Sequence, residues 1–61
     1  MKFKMYSYDP AIGTFCCLVS DKPMESKEEE GLWNLNKARE HDNLAPRKRL
    51  PIDTTFTEIE A

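Results

Sequence analysis

The sequence predicts an α+β fold: a small antiparallel sheet, made of an N-terminal β-hairpin and a C-terminal strand, packed on one short helix. Three observations carry this. Lys2 to Ser20 holds the one sizeable run of apolar and β-prone residues, broken by Asp9-Pro10-Ala11-Ile12-Gly13. A helix-forming stretch follows, with Asn34 as its cap and Leu35 to Leu44 as its body. Near the end, Thr54-Thr55-Phe56-Thr57 is β-branched and aromatic, the composition that suits a pleated, half-buried surface.

The chain divides into a hairpin at 2–20, an acidic loop at 21–31, a helix at about 34–44, a basic loop at 46–51 and a strand or tail at 52–61. In the turn, Asp9 accepts from the amides that follow it, and Pro10 arrives with φ already set. Gly13 supplies the left-handed residue. With a four-residue loop at 10–13, Tyr6, Tyr8, Phe15, Cys17 and Val19 share one face, and Phe3, Met5, Cys16 and Leu18 share the other. Neither face is then wet, so the hairpin needs cover on both sides.

Asp21-Lys22-Pro23 ends the second strand, because proline cannot donate to a ladder. Ser26 and Glu29 have capping-box spacing, which would start a helix at Lys27. Gly31 would interrupt that helix at a cost of about 1 kcal/mol. From Lys27, only Leu32, Leu35 and Ala38 make a modest stripe, while Trp33 and Leu44 point elsewhere. The start at Asn34 is therefore preferred. Leu32 and Trp33 then form an extended anchor. Ala45 before Pro46 closes the helix, since the residue preceding proline is pushed out of the helical region.

Sixty-one residues make one domain. A chain of this size buries only about 60% of the surface its unfolded form exposes, so it is marginal without a staple or partner. Cys16 and Cys17 are neighbours whose side chains leave a strand on opposite sides, which argues for free thiols in a reducing compartment. The N-terminus has no signal-peptide pattern, and no run approaches the roughly 20 apolar residues that cross a bilayer. The expectation is a soluble, cytoplasmic protein with no membrane association. Nine basic and eleven acidic residues give a net charge of −2, with acid concentrated at Glu25 to Glu30 and base at Arg47 to Arg49.

The residues argue against an enzyme. His41 is the single histidine, in a polar run that reads as a solvated helix position. No residue orients it as a base for Cys16 or Cys17. Adjacent cysteines with one histidine do not match structural zinc, the glutamates lack a calcium-loop spacing, and no glycine-rich phosphate loop is present. No catalytic residue, metal or cofactor is expected.

Binding to a larger protein explains more of the chain. It accounts for the two-faced hairpin, for Met5 and Met24 as adaptable contacts, and for an open sheet edge. Tyr6, Tyr8, Phe15 and Trp33 are the candidate contact aromatics, with Glu28, Glu29 and Glu30 steering through charge. Leftover apolar surface also predicts a homo-oligomer. The alternative is a nucleic-acid-binding regulator using Arg47, Lys48 and Arg49 on phosphates, with the aromatics stacking on bases. An overall acidic balance counts against it.

Tyr6-Ser7-Tyr8-Asp9-Pro10-Ala11-Ile12-Gly13-Thr14-Phe15 resembles the hairpins that open several small phage and bacterial proteins of unassigned role. In general style the chain is similar to phage-encoded inhibitors of host enzymes. The resemblance implies no particular site residue.

Overall fold

The computed structural model describes residues 2–59, without the side chains of Ser20 and Met24. Met24 as a contact residue, and residues 60–61 of the expected C-terminal strand, therefore lie outside the described part. Among the described residues, strands β1 (Lys2–Asp9), β2 (Gly13–Ser20) and β3 (Thr55–Ile59) and one α-helix, α1 (Lys27–His41), follow in the order β1-β2-α1-β3. The sheet is antiparallel with β1 in the middle, β2-β1-β3, and α1 packs on one face. The predicted α+β fold is the observed one. No helix among the described residues is long and apolar enough to cross a membrane.

The hairpin register corrects the expected one by a single residue. Asp9 pairs with Gly13 rather than Thr14, and Met5 pairs with Cys17. The loop is Pro10 to Ile12, closed by an Ile12 N–H to Asp9 carbonyl bond of 3.1 Å, and Gly13 takes φ +80° as the first residue of β2. A one-residue slip moves every side chain of a strand to the other face. Phe15, Cys17 and Val19 therefore join Phe3 and Met5 on the inner side, while Cys16 and Leu18 join Tyr6 and Tyr8 on the outer side. The sheet has one covered face and one wet face, and the two-sided apolar hairpin dissolves.

Under α1, Phe3, Met5 and Val19 are fully buried and pack with Phe15, Cys17, Leu50 and Phe56. From the helix, Gly31 and Leu35 are buried. Each large apolar side chain so covered contributes roughly 1.5–3 kcal/mol.

The helix begins at Lys27, not Asn34, and ends at His41 rather than Leu44. Gly31 does not break it. A Cβ there would collide with Met5 Sδ and stand 3.2 Å from Phe56 Cε1, so glycine is what lets the helix approach the sheet. The expected capping box does not form: Ser26 makes no side-chain cap, and its hydroxyl donates to the Pro23 carbonyl at 2.9 Å within a 3₁₀ turn. Asn34 sits mid-helix, its amide donating to the Glu30 carbonyl at 2.9 Å.

At the other end, Asn43 adopts φ +60°. The Leu44 N–H reaches the Arg39 carbonyl at 2.9 Å and the Asn43 N–H reaches the Glu40 carbonyl at 3.0 Å. This is a Schellman closure with asparagine in the left-handed position. It stops the helix before proline can.

Candidate functional site

A buried carboxylate positions the site. Asp9 ends β1 on the inner side and is 1% exposed. Its Oδ1 accepts the Ala11 N–H at 3.0 Å. Its Oδ2 accepts from an Arg39 guanidinium N–H and from Arg47 Nε, the latter at 2.9 Å. Burial pushes this carboxyl upward, but the hydrogen bonds from Ala11, Arg39 and Arg47 outweigh it and hold it below its ordinary value.

The same arginines tie down the chain after the helix. Arg39 Nε donates to the Ala45 carbonyl at 2.7 Å. Asn36 clasps the Arg47 backbone twice, accepting its N–H at 2.8 Å and donating to its carbonyl at 3.1 Å. Ser7 and Thr54 share a hydroxyl bond of 2.9 Å between β1 and the approach to β3. Residues 48–51 are thereby held opposite the first turns of α1.

Between them lies a groove of about 590 Å³, lined by Glu28, Glu29 and Leu32 from α1, by Lys48 to Pro51, and by Thr54 and Phe56. One wall carries two carboxylates and the other carries Lys48 and Arg49. The apolar lining comes from Leu32, Leu50, Pro51 and Phe56. No ion pair within 4.0 Å joins the two walls among the described residues. Lys27 Nζ stands 5.5 Å from the Phe56 ring centroid. The acidic and basic stretches, expected as separate patches, meet here across one cleft.

The candidate residues fall in several places. Tyr6 and Tyr8 lie on the open sheet face, 41% and 52% exposed, with Lys4 Nζ 5.1 Å from the Tyr6 ring centroid. Phe15 packs against the core on the opposite face. Trp33 is 59% exposed, with Lys37 Nζ 5.2 Å from its ring centroid. The four aromatics do not form one surface. Glu28 and Glu29 line the groove, whereas Glu30 is half-buried and its charge helps raise the Cys17 thiol. Lys48 and Arg49 are exposed on the opposite wall, but Arg47 is taken up by Asp9.

The sequence pattern does not single out Asp9, Arg39 or Asn36 as organising residues. The turn pattern gives Asp9 a local role only. Yet Phe3, Met5, Ser7 and Asp9 alternate along β1, which places that carboxylate on the covered face. A buried charge needs a partner, and Arg39 lies one helical turn beyond the buried Leu35.

His41 is 90% exposed and stands 3.6 Å from the neighbouring Asp42. Burial, then the nearby Cys16 and Glu30, push the Cys17 thiol up to about 11, so it is protonated at neutral pH. Both cysteines are free, and no three potential metal ligands cluster among the described residues. Comparison of the chain with protein-family models, with curated proteins and with solved structures finds no match.

Proposed function

We propose that this protein is a non-enzymatic binding module that receives an extended segment of a larger protein in the groove between α1 and residues 48–51. The observation that carries this is the pairing of an apolar lining with walls of opposite charge. Such a cleft fits a polypeptide that sets an apolar side chain on Leu32, Leu50 and Phe56. A basic group of the ligand then faces Glu28 and Glu29, and an acidic group faces Lys48 and Arg49. Ile52, next in sequence to the groove-lining Pro51, is 98% exposed. A module of this kind acts as an inhibitor or adaptor of its partner. The free thiols suit a reducing compartment such as the cytoplasm.

The test is selection of octapeptides from a random displayed library on the purified protein. A consensus with an apolar residue flanked by one basic and one acidic position is expected. Charge reversal, Glu28→Lys with Glu29→Lys, is expected to weaken the best peptide at least tenfold, about 1.4 kcal/mol. The same reversal should shift the selected consensus towards acidic flanks. Unchanged affinity in a folded variant sinks the proposal.

The nucleic-acid reading through Arg47, Lys48 and Arg49 draws less support. Arg47 is bound to Asp9, and the two remaining cations share their groove with two glutamates. Phosphate binding needs several unopposed positive charges on one face.

A further inference from the structure

We infer that two copies of this chain pair through the outer edges of their β2 strands, forming one continuous six-stranded antiparallel sheet. Among the described residues β2 pairs only with β1, so its other edge offers unpaired backbone donors and acceptors. The strand Gly13-Thr14-Phe15-Cys16-Cys17-Leu18-Val19-Ser20 contains no charged residue and no proline. Edge strands normally carry such features, or are kept short, to prevent pairing. The opposite edge shows that protection: β3 is five residues long and exposes Glu58. On β2, Leu18 is 55% exposed and Cys16 is exposed, both on the open face. A second copy is the occupant that matches, because an uncharged strand meets its own image without like-charge repulsion.

Symmetry restricts the register. Antiparallel pairing of identical strands places a two-fold axis perpendicular to the sheet. Opposed residues must then point to the same face. Two registers give the longest overlap. One sets Cys16 against Cys16 of the second copy, with Leu18 beside Thr14. The other sets Cys17 against Cys17, with Leu18 beside Cys16 and Phe15 beside Val19. In each, one cysteine self-pairs and the other does not. Opposed residues of an antiparallel pair have Cα atoms about 4.5–5.5 Å apart, within the range of about 4.4–6.8 Å that a disulfide spans. The Tyr6, Tyr8 and Leu18 surfaces of the two copies would join into one face, and both grooves would open on the other.

Sedimentation equilibrium of the full chain across micromolar concentrations is the first measurement. The expected species has twice the 7.1 kDa chain mass. Leu18→Lys, at an exposed position the fold tolerates, is expected to give a monomer with an unchanged circular dichroism spectrum. In parallel, Cys16→Ser and Cys17→Ser are each oxidised with diamide, which takes up the two protons and two electrons released as two thiols become a disulfide. Relative to its rate of alkylation by iodoacetamide, which reads each thiol's own exposure and protonation, one of the two variants is expected to cross-link at least tenfold faster than the other. A monomeric wild type, a Leu18→Lys protein that stays dimeric, or equal cross-linking of both variants overturns the inference.

Discussion

Asp9→Ala is expected to cost about 3 kcal/mol, the low end of the range for removing one member of a buried ion pair. The low end applies because the side chains left behind, Arg39 and Arg47, are 13% and 34% exposed and recover some hydration. A domain of this size rarely holds more than about 3–5 kcal/mol in total, so the variant should keep no more than about 2 kcal/mol and unfold at a much lower urea concentration. Asp9→Asn keeps an acceptor for the Ala11 N–H but loses the charge, and should fall between the variant and the native protein. Asp53→Ala, at an exposed turn position, should change stability by less than about 0.5 kcal/mol. Urea denaturation followed by circular dichroism decides the matter, and an Asp9→Ala midpoint equal to the native one would show that the bonds from Asp9 to Arg39 and Arg47 do not hold the fold.

The same carboxylate sets an acid response. Its folded-state pKa lies below the ordinary value of 3.8, so below that pH the unfolded chain takes up a proton at Asp9 before the folded chain does. The stability Asp9 supplies is therefore complete above that value and is lost as pH falls through the lower folded value. Urea midpoints measured from pH 5 down to pH 2 should decline more steeply for the native protein than for Asp9→Asn. Parallel curves would show that the carboxylate is not held as described.

Gly31→Ala is expected to destabilise by about 2 kcal/mol, although helix propensity alone favours the change by about 1 kcal/mol. The new methyl group meets Met5 Sδ and comes within 3.2 and 3.3 Å of two Phe56 ring atoms. Met5 is itself fully buried, so its thioether has no open space to swing into. Gly31→Val adds branching to the same collision and should cost more, about 3 kcal/mol. A double-mutant cycle isolates the cause. With Met5→Val shortening the opposing side chain, Gly31→Ala should become neutral, a coupling within the roughly 0.5–3 kcal/mol seen for residues in contact. A stabilising Gly31→Ala in the native background would mean that the helix does not approach the sheet so closely.

These two positions show where local reading stops. Helix propensity carries the backbone cost of Gly31 but not what lies beneath it. That cost, together with the weak apolar stripe of a helix from Lys27, favours a start at Asn34. The hairpin loop shows the same limit. Asp9-Pro10 with Gly13 announces a turn, but three- and four-residue loops draw on the same residues, and only the covering helix selects the register that buries Phe15, Cys17 and Val19 with Phe3 and Met5.

The groove was half legible. Glu28, Glu29, Lys48 and Arg49 stood out as charge runs, and Leu32 and Phe56 as apolar positions. Their meeting depends on Arg47 turning inward to Asp9, a contact across 38 residues that no local pattern records.

What the sequence determined by itself is the α+β class, the hairpin and its turn, the helix and the C-terminal strand, because these follow from φ/ψ preferences and from side-chain periodicity within a few residues. The tertiary structure alone decided the strand register, the helix bounds, the commitment of Arg47 to Asp9 and the convergence of opposite charges on one cleft. Those depend on which distant groups satisfy a buried charge and fill a close-packed core, and that choice is made when the helix closes over the sheet.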